Sequence, residues 1–270
     1  MHQTQKALLL DRKFGNFVVG DTEKYKPGPG EILIKVHSVA LNPADWKIQK
    51  SGLFIEEFPA ILGIDIAGEV VELGTGVTEH KLSDRVSCQS QWEKDKAGFQ
   101  QHAVSLAVTA AKIPPNISYD EAATLPIAVS TAYLGLYNQK PHGAGFSPPL
   151  SSADEGKYAG VPIIVLGGAS SVASLKHTDF LKSLGATYVF DRNLSFDTLR
   201  TEATQTIGLD LVAPDGTLVI VLNPEVKSKD GKLVVPFLAG LRMPQNLELL
   251  ETLYHEKITG FLERGLIKIL

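Results

Sequence analysis

A continuous apolar run that ends in two glycines constrains the fold of this chain more than any other feature of its sequence. The run is Val161-Pro162-Ile163-Ile164-Val165-Leu166, and Gly167-Gly168 follows it directly. A strand that is apolar at successive positions is buried on both faces, and such strands are typical of parallel sheets. We therefore predict a central parallel strand over 161–166 that turns into a helix at the glycines.

The segments after this strand alternate between helix and strand patterns. Apolar residues spaced along one helical face predict a helix over 172–184, and Gly185 fits its C-cap. Short apolar segments at 188–190 and 216–222 predict two further strands, and an amphipathic pattern predicts a last helix over 247–262. Strand, helix and strand in alternation predict an α/β domain with a parallel sheet.

The N-terminal part is built from short apolar segments separated by turn residues. Such segments occur at 6–10, 17–19, 31–37 and 61–74, the last with several glycines. Short strands of this kind, with glycine where backbones approach closely, predict a β-rich domain.

A helix follows the β-rich part. Ser118 precedes Glu121 by three residues, which is the spacing of a capping box, and we predict a helix over about 119–137 that Pro126 kinks or breaks. The next segment, 143–160, is rich in Gly, Pro and Ser and has no apolar periodicity. It is predicted to be a surface loop.

Composition and charge exclude several kinds of protein. The chain has 270 residues, 44% of them hydrophobic and 21% charged, as expected of a globular protein with a substantial core. The formal net charge is −4, so no general attraction to nucleic acid or anionic lipid is expected. The single cysteine, Cys88, cannot form an internal disulfide and is most simply a buried apolar side chain. No apolar run approaches the roughly 20 residues that span a bilayer, and we expect a cytoplasmic protein without nucleic-acid or membrane partners.

The turn after the apolar strand is a candidate phosphate site. Backbone N–H groups and the positive end of the next helix point at whatever lies above residues 167–171, and a diphosphate suits that place. Asp191, about 20 residues further on, could bond an adenosine ribose, and Arg192 could instead pair with a 2′-phosphate. A tight strand-to-helix turn without a ligand explains the two glycines equally well, because the third glycine of the dinucleotide fingerprint is absent.

A series of segments resembles, in order and spacing, the zinc-independent branch of the medium-chain dehydrogenase/reductase superfamily. Within that branch the similarity is to fungal quinone oxidoreductase-like proteins and trans-acting enoyl reductases. The segments are Leu41-Asn42-Pro43-Ala44-Asp45-Trp46-Lys47, Leu62-Gly63-Ile64-Asp65-Ile66-Ala67-Gly68, Ser83-Asp84-Arg85-Val86, Ala122-Ala123-Thr124-Leu125-Pro126, Val165-Leu166-Gly167-Gly168-Ala169-Ser170-Ser171-Val172, Leu184-Gly185-Ala186 and Ala213-Pro214-Asp215-Gly216-Thr217-Leu218.

This resemblance implies an α/β fold in which a GroES-like β-rich domain precedes an incomplete Rossmann domain with a doubly wound parallel sheet. We expect the GroES-like catalytic domain over 1–124 and the shortened dinucleotide-binding domain over 125–262. Residues 263–270 would begin the return to the catalytic domain. The implied activity is hydride transfer from NADPH to an activated double bond or a quinone.

The resemblance also implies which residues contact the cofactor. In relatives the segment up to Thr131 packs near the nicotinamide, and so does the strand end at Leu222-Asn223; ordinary helix surface and sheet core are the alternatives at these two places. With Asp191 and Arg192, which rest on their spacing from the turn and not on the resemblance, the candidate cofactor contacts are Ser130, Thr131, Gly167, Gly168, Ala169, Ser170, Ser171, Val172, Ser174, Lys176, Asp191, Arg192, Leu222 and Asn223.

Zinc is not expected. Catalytic zinc needs three protein ligands, usually Cys or His with a carboxylate. Where zinc-dependent relatives carry a cysteine and Gly-His-Glu, this chain has Asn42 with Asp45, and Gly63-Ile64-Asp65. Asn42 and Asp45 are candidate catalytic residues that line the pocket, and the alternative is that Asn42 opens a turn and Asp45 caps the next helix.

The chain departs from the family in its Rossmann part. Val172 directly precedes Ala173 where relatives continue the first Rossmann helix and a second strand, and a second gap falls between Gly208 and Leu209. The chain ends at Leu270, before the strands that return to the catalytic domain in relatives. Loss of a central parallel strand exposes an apolar face and leaves its neighbours without partners.

Two interpretations of the shortened part remain open. In one, residues 171–184 serve as the first helix and 188–190 as the second strand, which places Asp191 and Arg192 at the adenosine end. In the other, alignment with the family places Ser174 and Lys176 by the 2′-phosphate.

The leading hypothesis is an NADPH-dependent, zinc-free oxidoreductase acting on a small-molecule acceptor, either an enone, a quinone or an enoyl thioester. The alternatives are a shortened isoform that binds or regulates without catalysis, and a sequence that results from mis-splicing or from an incomplete gene prediction. The oligomeric state is left open between a monomer and a homodimer.

Overall fold

The structure is a computed structural model, and it describes most of the chain. The described residues are 3–149, 151–154, 156–163, 172–173, 178–183, 185–188, 190–191, 202–221, 223–237, 240 and 243–267. The chain divides into two units, unit 1 with Met1–Leu134 and Ala239–Leu270, and unit 2 with Gly135–Leu238. The domain boundaries expected at 124 and 262 stay a prediction.

Unit 1 is built from short strands, as the sequence predicts. They are β1 (Thr4–Leu10), β2 (Phe17–Glu23), β3 (Glu31–Ala40), β4 (Ala60–Ile61), β5 (Asp65–Leu73), β6 (Arg85–Gln89), β7 (His102–Leu106) and β8 (Ala110–Lys112). An antiparallel five-stranded sheet has the order β7-β3-β5-β6-β8, and β1 pairs with β2 and β4. The β-rich N-terminal part is therefore confirmed.

The apolar side chains of the five-stranded sheet, together with one alanine from the 3₁₀ turn between β7 and β8, form a core within unit 1. Its buried members are Ile32, Ile34, Ile66, Val70, Val86, Cys88, Ala103, Ala107 and Ala110. Cys88 is fully buried, as predicted, and burial raises the pKa of its thiol to about 12. Because the thiol stays protonated there, Cys88 packs as a small apolar side chain.

Helices connect and follow these strands. In chain order they are α1 (Pro43–Ser51), α2 (Tyr119–Ala123), α3 (Pro126–Tyr137), α4 (Thr178–Ser183), α5 (Glu202–Leu211), α6 (Pro244–Glu251) and α7 (Ile258–Glu263). The π-helical turn Thr252–Lys257 joins α6 to α7, so the helix predicted over 247–262 is confirmed. Within the described part of the chain, no helix has the length and apolar character needed to span a membrane.

The helix predicted after residue 118 is present in two pieces. The Ser118 hydroxyl accepts a hydrogen bond from the Glu121 backbone N–H at 3.2 Å, and the Glu121 carboxylate accepts one from the Ser118 N–H at 2.8 Å. This reciprocal pair satisfies N–H groups that the first turn of α2 leaves free. The break falls where predicted, because Pro126 has no N–H for an i→i−4 bond and begins α3 instead.

The described strands of unit 2 pair in parallel. They are β9 (Val172–Ala173), β10 (Phe190–Asp191), β11 (Thr217–Val221) and β12 (Leu233–Phe237). Strand β9 pairs with β10, with α4 between them in sequence, and β11 pairs with β12. Parallel pairs with an intervening helix confirm the predicted α/β class, and β11 confirms the strand predicted over 216–222.

The strand predicted over 161–166 is wrong at its beginning. Residues 161–163 are irregular, and Val161 and Ile163 are 44% and 52% exposed rather than buried on both faces. Pro162 lies between them and has no N–H to donate to a neighbouring strand. The apolar sequence therefore predicts a strand at a position where the backbone cannot complete the hydrogen bonds of a sheet. Residues 164–166 lie outside the described part of the chain.

The helix predicted over 172–184 is also wrong at its beginning. Residues 172–173 form β9, whose backbone groups serve the parallel ladder with β10, and the described helix starts only at Thr178. This finding overturns the interpretation in which residues 171–184 form the first Rossmann helix. At the other end, Gly185 has a φ of +97° and its N–H bonds to the Lys182 carbonyl at 2.9 Å, as expected of a helix C-terminus.

The second expected gap, between Gly208 and Leu209, lies inside a continuous helix. Helix α5 runs through this junction, so the chain passes from one side of it to the other without a loop. In the segment 143–160, the described residues are irregular or form turns, with one short 3₁₀ turn at Ser152–Asp154, in agreement with the predicted loop.

Candidate active site

Asn42 stands directly before α1 and is held by a buried carboxylate. Pro43 opens the helix, and Asp45 accepts the Asn42 backbone N–H through Oδ2 at 2.8 Å. The other oxygen of Asp45 accepts the Gly63 N–H at 3.2 Å. Both oxygens of Asp45 thus accept hydrogen bonds from backbone N–H groups, as expected if Asp45 caps the start of α1. A catalytic role of Asp45 stays a prediction.

Asp65 connects three elements of unit 1. It begins β5 and is 1% exposed. Its Oδ2 accepts a hydrogen bond from the Asn42 side-chain amide at 2.9 Å, and its Oδ1 accepts one from the Ile127 N–H at 2.8 Å. Since Ile127 lies in the first turn of α3, one carboxyl group holds the beginnings of α1 and α3 against β5.

The environment of Asp65 disfavours its charge. Burial raises the pKa of Asp65, the hydrogen bonds from Asn42 and Ile127 lower it, and the nearby Asp45 carboxylate raises it. The net result is a pKa of about 7. Burial also raises the pKa of Asp45, which its two backbone N–H donors oppose. This part of unit 1 therefore holds a carboxyl group that changes its protonation state near neutral pH.

A second buried pair lies next to this one. Ser130, on α3, is fully buried, and its hydroxyl is 3.0 Å from the hydroxyl of Tyr254. Tyr254 lies in the π-helical turn and is also buried, which raises the pKa of its phenol well above the usual value. Thr131 is half-buried. π-Helical turns within helices occur often at functional sites, and the cofactor contacts expected at Ser130 and Thr131 stay predictions.

Removing the Tyr254 hydroxyl is expected to destabilise unit 1. The variant Tyr254→Phe leaves the buried Ser130 hydroxyl without its partner, so the free energy of unfolding should fall by about 1–2 kcal/mol. Urea unfolding of Tyr254→Phe, Ser130→Ala and the double variant measures the coupling between the two hydroxyls, for which we expect about 1 kcal/mol. Strictly additive single effects would contradict the bond as a stabilising contact.

The candidate residues predicted from the sequence fall in three groups. In unit 2, Val172 and Asp191 lie on the paired strands β9 and β10, Asp191 at the carboxyl end of its strand, and Asn223 is exposed two residues after the end of β11. In unit 1, Asn42 and Asp45 are brought together, and Ser130 and Thr131 lie on α3. The candidates outside the described residues are Gly167, Gly168, Ala169, Ser170, Ser171, Ser174, Lys176, Arg192 and Leu222.

Sequence reasoning did not select Asp65 or Tyr254 as site residues. The signal for Asp65 was available, because it is the lone carboxylate in the apolar run 61–67, and buried aspartates are rare unless they are paired. Tyr254 gave no such signal, because an aromatic residue on an amphipathic helix is ordinary core material.

The carboxylate groups near Asn42 are surrounded by nitrogen donors. Among the described residues, no group of three or more His, Cys, Asp or Glu side chains could hold a metal ion. All four carboxylate oxygens of Asp45 and Asp65 accept hydrogen bonds from nitrogen donors.

Comparison with known proteins identifies the family of this site. Residues 28–126, which contain Asn42, Asp45 and Asp65, match the alcohol dehydrogenase GroES-like domain. The zinc-binding alcohol dehydrogenase domain-containing protein cipB of Emericella nidulans is 34% identical over 212 residues, covering 77% of this chain and 60% of cipB. This chain therefore spans about three fifths of the length of that relative.

Other relatives and a solved structure agree. The trans-enoyl reductase tazE of Aspergillus terreus is 30% identical over 208 residues, 68% of this chain and 67% of tazE. The chloroplastic quinone-oxidoreductase homolog of Spinacia oleracea is 36% identical over 177 residues, 61% of this chain and 53% of that protein. The fold is that of an alcohol dehydrogenase superfamily protein from Novosphingobium aromaticivorans, with a TM-score of 0.73 at 18% identity, covering 97% of this chain and 88% of that one. This chain belongs to the medium-chain dehydrogenase/reductase superfamily.

Proposed function

We propose that this protein is an NADPH-dependent oxidoreductase that transfers hydride, without zinc, to an activated double bond or a quinone. The observation that carries the proposal is the hydrogen-bonded arrangement of Asn42, Asp45 and Asp65. It occupies the place where zinc-dependent relatives are expected to bind their metal, and its carboxylate oxygens already accept hydrogen bonds from nitrogen donors.

The chemistry of the donor set supports a zinc-free site. Zinc prefers thiolate and imidazole ligands, and Asn42 and Ile64 supply neither. Asp45 and Asp65 are carboxylates, but their oxygens are used by backbone and amide N–H groups, which a metal would have to displace. The name of cipB includes zinc binding, so the metal content of the purified protein is a direct check of this part of the proposal.

The names of two relatives support the class of acceptor. One is called a trans-enoyl reductase and another a quinone-oxidoreductase homolog. Both names describe acceptors in which a carbonyl group activates a double bond. A half-buried amide such as that of Asn42 can align a carbonyl oxygen by a hydrogen bond, and this alignment lowers the barrier by fixing the acceptor in place.

The described part of unit 2 fits a nicotinamide cofactor. Strands β9 and β10 are parallel, and nucleotides bind beyond the carboxyl ends of such strands. Asp191 lies at that end of β10, and Asn223 follows β11 in the manner expected near the nicotinamide. The residues that would hold the diphosphate, 167–171, lie outside the described part. When bound, NADPH supplies the hydride.

The proposal predicts cofactor binding and acceptor-dependent oxidation. NADPH is titrated against the fluorescence of Trp46 and Trp92, and its absorbance is then followed with a quinone or an enoyl thioester. We expect saturable quenching, oxidation only with acceptor, and no loss of rate after treatment with a zinc chelator. Asn42→Ala should lower kcat/KM by about tenfold or more, because the acceptor loses its polar contact.

The controls separate this activity from its alternatives. Asn16→Ala removes an exposed asparagine from the β1–β2 turn and should leave kcat/KM unchanged. Parallel titration with NADH tests the preference for NADPH. A folded protein that binds neither cofactor at millimolar concentration would contradict the proposal and favour a binding or regulatory role.

A further inference from the structure

We propose that one surface of unit 1 binds membranes that contain anionic lipid. Its members are exposed apolar side chains and lysines that lie side by side, namely Phe14, Trp46, Leu53, Lys13, Lys47 and Lys50. We call this set the basic apolar surface. The net charge of −4 predicts no general attraction to anionic lipid, but a total charge does not report how the charges are distributed.

Two segments that are distant in the sequence form this surface together. One is the turn between β1 and β2, and the other is α1 with the residues that follow it. The side-chain amide of Gln49 donates to the Gly15 carbonyl at 3.0 Å, and a Cβ added at Gly52 would overlap the side chain of Lys13. Because the turn packs against the end of α1, the exposed side chains of the turn continue those of the helix.

The apolar members of the surface are large and exposed. Phe14, Trp46 and Leu53 are 64%, 49% and 59% exposed. Single exposed apolar residues are ordinary on a protein surface, but neighbouring ones indicate a binding surface. Their transfer from water into an apolar phase is favourable, and this transfer supplies the apolar part of the binding free energy.

The backbone is strained where two aromatic side chains are exposed. The φ of Phe14 is +60°, in the left-handed region that residues other than glycine rarely adopt. Phe54, directly after Leu53, has a φ of +67° and is also exposed. Glycine or asparagine would fit these positions with less strain. Backbone strain of this kind is concentrated at functional sites, so it supports a role of this surface in binding.

Lysines lie over the aromatic rings of the surface. The ammonium groups of Lys47 and Lys50 are 5.8 Å and 5.4 Å from the centre of the Trp46 ring, and that of Lys13 is 5.4 Å from the centre of the Phe14 ring. None of the three ammonium groups forms an ion pair with a carboxylate of the described residues. The positive charges and the apolar side chains therefore occupy the same surface.

The two segments contain no acidic residue. Asp and Glu are absent from residues 12–20 and from residues 46–55. Asp11, which borders the first segment, pairs with Arg12 at 2.9 Å, and Glu56 follows the second segment. The surface is thus locally positive in a chain whose net charge is negative, and its lysines can bind anionic groups from outside the protein.

The composition of the surface favours a lipid membrane over a protein partner. Protein interfaces are enriched in tryptophan and phenylalanine but depleted in lysine. The membrane interface accepts both kinds of side chain, because apolar groups enter the acyl boundary while lysine ammonium groups stay with the lipid phosphates. Each lysine near an anionic membrane strengthens binding by about fivefold.

Sedimentation with lipid vesicles tests the proposal. The full chain is mixed with vesicles of phosphatidylcholine alone, or with vesicles in which about one third of the lipid is phosphatidylserine. We expect binding to the anionic vesicles, little binding to the neutral ones, and release at high salt, which screens the lysines. The emission of Trp46 should shift to shorter wavelength on binding, and the shift should be absent in Trp46→Phe.

Two variants separate the apolar and the charged parts of the surface. Asparagine tolerates a left-handed backbone better than phenylalanine, so Phe14→Asn should be as stable as the wild type while its affinity for anionic vesicles falls by about tenfold. The double variant Lys47→Ala, Lys50→Ala should bind about 25-fold more weakly. Leu82→Asn is the control, because Leu82 is 58% exposed in the turn before β6 and lies outside the surface. Its affinity should equal that of the wild type.

The possible outcomes distinguish the membrane from other partners. No binding, equal binding to both kinds of vesicle, or binding that neither variant weakens overturns the inference. A shift of the Trp46 emission with polyglutamate and none with vesicles also overturns it, because this result assigns the surface to an acidic protein. None of these measurements uses NADPH, so the inference and the proposed function are tested separately.

Discussion

Asp65→Asn is expected to raise the free energy of unfolding above about pH 8 by up to about 4 kcal/mol. The pKa of Asp65 is raised from 3.8 to about 7 in the folded protein. One pKa unit corresponds to about 1.4 kcal/mol, so ionised Asp65 destabilises the folded state by up to about 4 kcal/mol relative to its protonated form. Asparagine has the same shape and no charge to desolvate, so the variant avoids that cost.

The sign of the pH dependence follows from proton binding. Because the folded state binds the Asp65 proton more tightly than the unfolded state, the contribution of Asp65 is fully favourable below the unfolded pKa of 3.8. It is lost as the pH rises through about 7. Wild type and Asp65→Asn should therefore have similar stabilities near pH 4 and diverge as the pH rises.

Urea unfolding over this pH range measures the divergence. Asp21→Asn is the matched control, because Asp21 is an exposed carboxylate that pairs with Lys6 on the surface of unit 1. Its difference from the wild type should stay within about 1 kcal/mol at every pH. If the curves of the wild type and Asp65→Asn run parallel from acid to alkaline pH, Asp65 does not carry a raised pKa.

Gly68→Ala is expected to lower the free energy of unfolding by about 3 kcal/mol or more. Gly68 lies in β5 directly beside β3, and an added Cβ would overlap the carbonyl oxygen of Lys35 and come within 2.6 Å of Ile34 Cγ2. The carbonyl belongs to the backbone of the neighbouring strand, so relief requires the two central strands to separate.

Gly260→Ala is the control for this substitution. Gly260 lies in α7, and a Cβ at this position meets no atom within 4 Å. Because alanine favours the helix by about 1 kcal/mol over glycine, this variant should be slightly more stable than the wild type. Thermal and urea unfolding compare the two variants. A Gly68→Ala protein with wild-type stability would show that β3 and β5 can separate without cost.

Local patterns were sufficient for much of unit 1. The Ser118–Glu121 capping box and the break at Pro126 depend on residues within a few positions of each other, and both are found where the sequence predicts them. The short strands of the N-terminal part also follow from alternation and turn residues. In such cases the interacting residues are close together in the sequence, so a local pattern contains all of them.

The candidate site depends on contacts that no local pattern contains. Asp65 binds Asn42 and Ile127, which lie 23 and 62 residues away, and Tyr254 binds Ser130 over 124 residues. The resemblance to a family selected Asn42 and Ser130, but the partner of each emerges only when the strands and helices are assembled.

In unit 2, local patterns predicted the wrong structure at two places. Residues 161–163 are apolar and 172–173 fit a helical period, yet the first are irregular and the second form a strand. Whether an apolar segment becomes a buried strand depends on a neighbouring strand to pair with, and the sequence of the segment does not carry that information.

Because Cys88 is buried, the reaction of its thiol with a reagent measures unfolding of this chain. The protein has a single cysteine, fully enclosed between β5 and β8, with a thiol that stays protonated up to a pH of about 12. An excess of a thiol reagent therefore does not react with the native protein. A molecule is labelled only after the sheet around Cys88 has opened. The labelling rate counts these openings without any engineered probe.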